Sequence, residues 1–343
     1  MNSNGRGRRR RQVYVGPGVL LLLVVIVVAV LAGVFLWGRG GEEAPGNDSA
    51  QVSGQDDQQT DGTGNSQTDD QQTDADEPKG VVTSTGVNCT LMDLGENAIY
   101  TGDLILVNNS TFFHFPENQE LVSVYDEKND SYYVGGTNIY LAPAAMEALN
   151  AMLADFTAQG GSKSVNVVAG HRTEEFQQHL FDQSAEQNGL EHAQQYVAQP
   201  GDSEHHTGYA LDLSVYHSDG TSEEYDGTGE YAWINENCQN YGLVVRYATD
   251  KADITGIANE PWHFRYVGIP HATQMVKEGL CLEEYIDYLK DFTADGEHLM
   301  IECVSGTYEV WYAEGSAIYL PDSGEYTVSG NNVDGVIVTC KVG

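Results

Sequence analysis

The 343-residue chain carries 51 acidic and 16 basic side chains, which give it a formal net charge of −35 at pH 7. An acidic surface of this kind repels a phosphate backbone, so nucleic acid is excluded as a partner. The length exceeds one average domain, and both ends of the chain differ from ordinary globular sequence.

The N-terminal end has the pattern of a membrane anchor. A basic segment, residues 1–18, contains five arginines between positions 6 and 11, and the uncharged apolar segment Val19–Trp37 follows it. About 20 apolar residues span a bilayer, and the positive-inside rule keeps the arginines in the cytoplasm. A cleaved signal peptide is the alternative, but its apolar region is shorter, about 7–15 residues. We therefore expect an uncleaved single-pass anchor, with the rest of the chain outside the cell membrane.

A polar stretch, residues 38–86, follows the apolar segment. It consists mainly of Asp, Gln, Thr, Ser and Gly and has few apolar side chains to bury. Such a composition cannot offset the conformational entropy lost on folding, and its like charges repel one another. We expect a disordered acidic linker that tethers a domain outside the membrane.

The next stretch, residues 87–295, mixes short strands with helices. Apolar runs between turn residues predict strands, in chain order at 102–109, 121–126, 164–170, 209–215, 243–247 and 260–268. Apolar residues at helical spacing predict helices, at 142–161, 173–189, 229–242, 271–279 and 282–292. This alternation indicates one mixed domain of helices and sheet.

The C-terminal stretch, residues 296–343, reads as short alternating strands with Gly and Asn turns. We expect a small all-β segment, near the lower size limit for folding alone and therefore packed on the main domain.

Five cysteines occur in the chain, and none of them forms a C-x-x-C pair. A thiolate zinc site is therefore not expected. Disulfides are permitted outside the membrane, and a bond between Cys303 and Cys340 would tie the C-terminal strands together.

Polar side chains stand within apolar strand patterns at two places. The stretch SEHHTGYALDL carries His205, His206 and Asp212, and the stretch NEPWHFRYVG carries Glu260 and His263. A catalytic zinc site takes three protein ligands, and two histidines with one carboxylate meet that requirement. Either His205 or His206 could supply the first nitrogen.

Glu260 is then left as a proton acceptor for a water activated by the metal. It lies three residues before His263, and residues an odd number apart on a strand point to opposite faces. The two can share a site only if Pro261 begins a turn or bulge, which the sequence does not decide.

Three motifs of the chain resemble those of the VanY-like D-alanyl-D-alanine carboxypeptidases. The pattern S-x-H-x-x-G-x-A-x-D is matched by Ser203, His205, Gly208, Ala210 and Asp212. ITGIANEPWHFRYVG is similar to the second signature of that family, and VVAGHRTEEFQQHL resembles its arginine segment, with Arg172 and Gln177 at the matching places. The likeness spans roughly residues 99–292 and departs from the family at His171, Thr173 and Ala248, none of which replaces a ligand or the base.

The resemblance implies roles for particular residues. The zinc ligands would be His205, Asp212 and His263, holding one Zn²⁺. Glu260 would be the catalytic base, and Arg172 would stabilise the substrate or its developing oxyanion. Gln177 and Ser203 would lie near the bound peptide.

The implied fold is α+β, an antiparallel sheet flanked by helices as in hedgehog and D,D-peptidase domains. The implied reaction is hydrolysis of the terminal D-Ala-D-Ala bond of peptidoglycan stem peptides or their lipid-linked precursors, on the outer face of a bacterial membrane. Two alternatives stay open. One is an endopeptidase on the same scaffold, which would not need Arg172 to bind a free carboxylate. The other is a non-catalytic cell-wall-binding module, which would not need Glu260.

Overall fold

The computed structural model of the protein describes residues 80–343. The strands of this part are β1 Val81–Val82, β2 Asn88–Asp93, β3 Val122–Ser123, β4 Tyr133–Val134, β5 Tyr140–Leu141, β6 Val165–Ala169, β7 Ala210–Tyr216, β8 Ser222–Glu224, β9 Leu243–Tyr247, β10 Glu260–Tyr266, β11 Leu299–Cys303, β12 Gly306–Glu314, β13 Ala317–Pro321, β14 Tyr326–Gly330 and β15 Gly335–Lys341. Its α-helices are α1 Val124–Glu127, α2 Pro143–Ala158, α3 Glu174–Asn188, α4 Leu190–Tyr196, α5 Ala232–Asn237, α6 Ala252–Thr255, α7 Ile269–Glu278 and α8 Leu282–Leu289.

A mixed sheet forms the centre of the domain, with strand order β4-β6-β7-β10-β9 and β8 paired to β7. β4 and β6 are parallel, and the other pairs are antiparallel. The α+β prediction is therefore confirmed at the level of a mixed fold with antiparallel sheets and helices.

The two faces of this sheet differ in chemistry. Leu211 and Leu213 of β7 and Phe264 of β10 belong to the same apolar core as α2. Since successive side chains on a strand point to opposite faces, Asp212 and His263 lie on the face away from this core. The face that does not pack on α2 thus carries the polar residues.

Helix boundaries follow local signals. Pro143 occupies the first turn of α2, where its missing N–H costs nothing. The side chain of Thr173 accepts a hydrogen bond from the N–H of Phe176 and caps α3, whose first turn is acidic. The predicted helix over 229–242 is interrupted, since α5 is flanked by 3₁₀ turns at Gly229–Tyr231 and Cys238–Tyr241.

The C-terminal residues form a four-stranded sheet in the order β11-β12-β15-β14. Its side chains share a second apolar core with α7 and α8, in which Leu299, Val310 and Ile337 pack with Met275 and Leu282. The expected all-β segment is therefore present and packs on the main domain. Strands from both ends of the described chain also meet, because β1, β2 and β13 form a separate three-stranded sheet.

Two strands expected from the sequence are wrong. Of the strand predicted over 121–126 only Val122–Ser123 is extended, because the Ser123 side chain accepts from the N–H of Asp126 and caps the helix α1 that begins at Val124. Residues 102–109 form no regular strand although Leu104 and Val107 are buried, because their backbone groups bind partners outside any ladder. The Cys303–Cys340 bond that an oxidising exterior would permit is absent, and all five cysteines of the described chain are free thiols.

The segments expected to be anchor and linker, Val19–Trp37 and residues 38–79, lie outside the described residues. Within the described residues, no helix is long and apolar enough to cross a bilayer.

Candidate metal centre and active site

The pairing of β7 with β10 places two of the predicted ligands side by side. Asp212 stands directly opposite His263 in the antiparallel register. The third, His205, lies on the 3₁₀ turn Glu204–Thr207 that leads into β7. Gly208 ends that turn with φ +74°, and a Cβ at this position would approach Leu121 Cδ2 to 2.7 Å. Glycine is therefore required for the chain to turn back into the strand.

His205, Asp212 and His263 each offer one ligand atom, and these atoms lie within 4.8 Å of one another. His205 Nε2 is 3.3 Å from Asp212 Oδ2, and His263 Nδ1 is 3.0 Å from Asp212 Oδ1. Although burial opposes it, the two histidines hold the pKa of Asp212 well below its ordinary range. The carboxylate is thus ionised, as metal ligation requires.

The imidazole rings of His205 and His263 each use one nitrogen in a hydrogen bond and turn the other nitrogen toward Asp212. His205 Nδ1 lies 2.8 Å from the carbonyl oxygen of Gly170, so it donates there and leaves Nε2 as an acceptor. His263 Nε2 lies 3.3 Å from Glu204 Oε2, which leaves Nδ1. Burial also lowers the pKa of His205 to about 4, so this ring is neutral at pH 7.

Asp212 Oδ1 is buried and, among the described residues, accepts no hydrogen bond, although His263 Nδ1 lies 3.0 Å from it. A buried carboxylate oxygen without a donor is costly unless a cation binds it. Two imidazole nitrogens and one carboxylate are also the donor set of catalytic zinc sites. The residues present therefore fit a zinc ion.

An irregularity in β10 allows Glu260 and His263 to share one site, as the sequence analysis required. The register of β10 against β9 shifts between Glu260 and Phe264, which marks an irregularity in the strand. Glu260 Oε2 consequently lies 3.8 Å from His263 Nδ1 and remains 30 % exposed. Burial raises the pKa of Glu260 to about 7, with a further rise from Asp212 that His263 opposes. This value suits a proton acceptor that works near neutral pH.

Arg172 lies at the same centre. Its Nη2 is 3.2 Å from Asp212 Oδ2, and its side chain is 22 % exposed. Its backbone N–H donates to the carbonyl of His205, which fixes the arginine loop against the histidine turn. The guanidinium is thus held at the ligand group with an open side, where it can bind an anionic oxygen.

His206 has a different environment from His205. Its Nδ1 lies 2.7 Å from the carbonyl oxygen of Arg172, and its Nε2 accepts from the N–H of Gly201 at 3.1 Å. Both ring nitrogens are therefore engaged, and the ambiguity between the adjacent histidines resolves to His205 as the candidate ligand.

Two residues assigned to substrate binding by resemblance are buried. Gln177 is 1 % exposed, and its amide donates to the carbonyl of Ala198 at 2.8 Å. Ser203 is 5 % exposed, and its carbonyl accepts from the N–H of His206. These contacts order the loop before the histidine turn, and contact of either residue with a peptide stays a prediction.

The sequence analysis missed Glu204, Arg246 and Arg265. The Glu204 side chain is fully buried and lies 2.7 Å from Arg246 Nε and 3.0 Å from Arg265 Nη1. Burial disfavours its charge, but the two guanidiniums more than offset this and hold its pKa below the ordinary value. An available signal was overlooked, since an arginine inside the apolar strands LVVRY and HFRYV is as unusual as Asp212 in its own strand.

Comparisons with known proteins agree with this geometry. The VanY family model, described as D-alanyl-D-alanine carboxypeptidase, matches residues 138–269. A D-alanyl-D-alanine carboxypeptidase of Enterococcus faecium is 34% identical over 268 residues, which cover 75% of this chain and 81% of the relative. The bifunctional D-Ala-D-Ala dipeptidase and carboxypeptidase VanXYC of Enterococcus gallinarum is 37% identical over 155 residues, 44% of this chain and 80% of the relative. Among solved structures, the D,D-dipeptidase VanXYg in complex with a D-Ala-D-Ala phosphinate analog is similar with a TM-score of 0.65 and 32% identity, over 74% of this chain and 99% of that one.

Proposed function

The chain belongs to the VanY family of D-alanyl-D-alanine carboxypeptidases and is a hydrolase of that type; on this premise we propose that it uses one Zn²⁺ to release the terminal D-Ala from peptidoglycan stem peptides. The observation that carries the proposal is the convergence of His205, Asp212 and His263 within 4.8 Å, with Glu260 3.8 Å from His263. A group of ligands beside a carboxylate of raised pKa is the arrangement that metal-assisted peptide hydrolysis needs.

The metal would be held by His205 Nε2, His263 Nδ1 and the Asp212 carboxylate. When bound, zinc supplies a Lewis acid that polarises the scissile carbonyl and lowers the pKa of a water. Three protein ligands would leave one coordination position for water or substrate, as in other catalytic zinc sites.

Glu260 moves the proton in this proposal. Its carboxylate accepts a proton from the attacking water and delivers it to the amine of the departing D-Ala, so the proton count closes over one turnover. Its pKa of about 7 lets the same oxygen accept and then release a proton near neutral pH.

Arg172 orients the substrate. Its guanidinium lies 3.2 Å from Asp212 and has an exposed side, so it can bind the peptide carboxylate or the oxygen on which negative charge develops. Binding of the peptide carboxylate would favour a substrate that ends close to the metal, which is the mark of a carboxypeptidase, whereas oxyanion binding alone would serve an endopeptidase equally well.

A cell-surface location fits this substrate. The expected anchor Val19–Trp37 and the acidic linker would tether the catalytic domain on the outer face of the membrane, where stem peptides and lipid-linked precursors are found. This location rests on the sequence pattern alone.

Hydrolysis of the free dipeptide D-Ala-D-Ala is a second candidate activity. It is favoured by the TM-score of 0.65 to a D,D-dipeptidase and by the similarity to a bifunctional relative. Both activities cleave the bond between the two D-Ala residues. They differ in whether the first D-Ala has a free amine or is attached to a stem peptide.

One experiment separates these activities. The full chain, purified in detergent, is incubated with a stem pentapeptide ending in D-Ala-D-Ala, with the matching tetrapeptide and with free D-Ala-D-Ala, and products are identified by mass spectrometry. We expect tetrapeptide and D-Ala from the first substrate, loss of turnover with a chelator, and recovery with Zn²⁺. Internal fragments would instead indicate an endopeptidase.

The variant that tests the proposed base is Glu260→Gln, which keeps the size of the side chain but cannot accept the proton. We expect kcat to fall by roughly 10²- to 10⁴-fold while Zn²⁺ binding is retained. Unchanged turnover would contradict the assigned base, and binding of stem peptide without turnover by the unmodified protein would favour a cell-wall-binding module.

A further inference from the structure

Glu204 connects the candidate metal centre to a buried network of charges. Its Oε2 lies 3.3 Å from His263 Nε2, the ring nitrogen on the side away from Asp212. Its other oxygen, Oε1, accepts from Arg246 Nε at 2.7 Å and from Arg265 Nη1 at 3.0 Å. The carboxylate therefore bridges one imidazole and two guanidiniums.

The network is balanced in charge. Arg246 also donates to both carboxylate oxygens of Glu283 on α8, at 2.9 and 2.7 Å. Two carboxylates and two guanidiniums thus meet in a region where Glu204, Arg246 and Arg265 have fully buried side chains. Buried charges are tolerated only when paired and hydrogen-bonded, so each member fixes the position of the others.

Arg265 extends the network to the segment 103–107. Its Nη2 donates to the carbonyls of Asp103 and Ile105, both at 2.8 Å, and its Nε donates to the carbonyl of Tyr266. The guanidinium is planar and has fixed donor directions, so these carbonyls determine where Nη1 meets Glu204.

The C-terminal β sheet holds this segment in turn. The N–H of Leu104 donates to Ser329 Oγ at 2.9 Å, and the N–H of Leu106 donates to the carbonyl of Asn331 at 3.0 Å. Asn332 Nδ2 donates to the carbonyl of Leu106 at 2.7 Å. These residues lie at the end of β14 and in the turn to β15, which explains why 102–109 is buried without joining a sheet.

We infer that Glu204 is a positioning residue that orients His263 for metal binding, and that the C-terminal β segment supports it through the segment 103–107 and Arg265. The inference rests on the proposed role of His263 as a zinc ligand. A ligand histidine that donates its second N–H to a carboxylate is fixed in tautomer and ring orientation. The C-terminal segment then contributes to the active site although none of its residues is a candidate ligand.

The test compares two buried carboxylates, each paired with a histidine. Glu309 of β12 is 0 % exposed and lies 2.9 Å from His298 Nδ1, but it has no part in the network around His263. Glu204→Gln and Glu309→Gln therefore remove the same charge at comparable burial. Zn²⁺ affinity of the full chain is measured by competition with a chromophoric chelator, and the Co²⁺-substituted proteins are compared by their visible absorption spectra.

We expect Glu204→Gln to weaken Zn²⁺ binding by roughly 10- to 100-fold and to change the Co²⁺ spectrum. Glu309→Gln should leave both readouts at the unmodified values, even if its unfolding temperature falls. Equal Zn²⁺ affinity and equal spectra in the two variants would overturn the role of Glu204. If Glu204→Gln does not fold, Glu204→Asp keeps the charge balance, shortens the reach to His263 and is judged by the same two readouts.

The contribution of the C-terminal segment is tested with Asn332→Gly. Asn332 has φ +61°, which glycine adopts without strain, so the change removes the side-chain hydrogen bonds and spares the backbone. We expect Zn²⁺ affinity to fall by roughly 2- to 30-fold in a folded protein. Unchanged affinity would refute the supporting role of this segment.

Zn²⁺ binding and stem-peptide hydrolysis by the unmodified protein show whether a failure concerns the role of Glu204 or the proposed function. If it binds one Zn²⁺ and hydrolyses the stem peptide, the variants test Glu204 alone. If it binds Zn²⁺ without hydrolysis, the proposed reaction fails while the affinity comparison still decides the role of Glu204. If it binds no Zn²⁺, the proposed function and the inference both fail.

Discussion

His271 on α7 provides a direct test of how the C-terminal segment is attached. Its ring is 3 % exposed, with Nδ1 2.8 Å from the Tyr285 hydroxyl of α8 and Nε2 2.8 Å from Thr339 Oγ1 of β15. One imidazole thus joins two helices to the C-terminal sheet. Burial lowers the pKa of His271 to about 3, because removal from water disfavours the charged imidazolium.

The sign of the resulting pH dependence follows from linkage. The unfolded chain takes up a proton at this histidine as the pH falls below about 6.5, whereas the folded protein stays neutral until about pH 3. Protonation therefore favours the unfolded state across this window, and stability decreases as the pH falls. With about 1.36 kcal/mol per pH unit, the free energy of unfolding loses about 2 kcal/mol between pH 7.5 and pH 5 from this residue alone.

The perturbation is His271→Gln, which keeps a hydrogen-bonding side chain and removes the titration. Urea unfolding is measured for both proteins between pH 7.5 and pH 5. Other buried histidines make both curves slope, so the quantity of interest is the difference in unfolding free energy between the two proteins. We expect this difference to change by about 2 kcal/mol over the range, with the variant less sensitive to acid.

The matched control is His179→Gln, since His179 is exposed on α3. Its unfolding free energy should follow that of the unmodified protein at every pH. A difference between His271→Gln and the unmodified protein that is independent of pH would refute the reasoning, because it would mean that the His271 ring takes up its proton equally in both states.

Three further outcomes follow from the geometry. His205→Ala should abolish Zn²⁺ binding, measured by equilibrium dialysis. His206→Ala should retain Zn²⁺ binding but lose roughly 1–3 kcal/mol of stability in urea unfolding, because its hydrogen-bond partners are left unpaired. Loss of Zn²⁺ binding in His206→Ala and not in His205→Ala would contradict the assignment. Gly208→Ala should destabilise the protein by at least about 1–2 kcal/mol, because φ +74° is unfavourable with a Cβ and Leu121 leaves no room for one. A change in unfolding free energy within about 0.5 kcal/mol, the scatter of neutral surface substitutions, would contradict this. A reducing agent should leave the unfolding temperature unchanged, since all five cysteines are free; a lower temperature on reduction would reveal a disulfide.

Much of the central sheet could be predicted from apolar periodicity. The strands around Leu211, Val244 and Phe264 have the short apolar runs expected of buried strands, and α2 shows regular helical spacing. The ligand group could be proposed because polar residues interrupt these apolar runs and because the motifs around them resemble those of the VanY family. Pairing across strands was not visible in the sequence, and the meeting of Asp212 with His263 depends on it.

The failures have a common physical origin in long-range contacts. The run GDLILVNN has the composition of a strand, and its side chains are buried as that composition requires. Its N–H and carbonyl groups are satisfied by Arg265 and by residues more than 200 positions later, such as Asn332. Local sequence determines that these side chains are buried, but distant partners determine whether the backbone forms a ladder.

Long-range pairing also explains why the sequence analysis missed Glu204 and its two arginine partners. Asp212 drew attention as a charge in an apolar strand, and Arg246 and Arg265 are charges in apolar runs on the neighbouring strands β9 and β10. If every such charge must be paired, two buried arginines require buried acids, and the stretch SEHHTG offers Glu204 beside the ligand His205. Charge balance could therefore have predicted the pairing, because a strand arginine without an acid would be too costly to bury. It could not have predicted that the acid also holds His263, since that depends on which oxygen faces the ring. The motif thus carries the candidate ligand and, one residue before it, the group that orients another ligand.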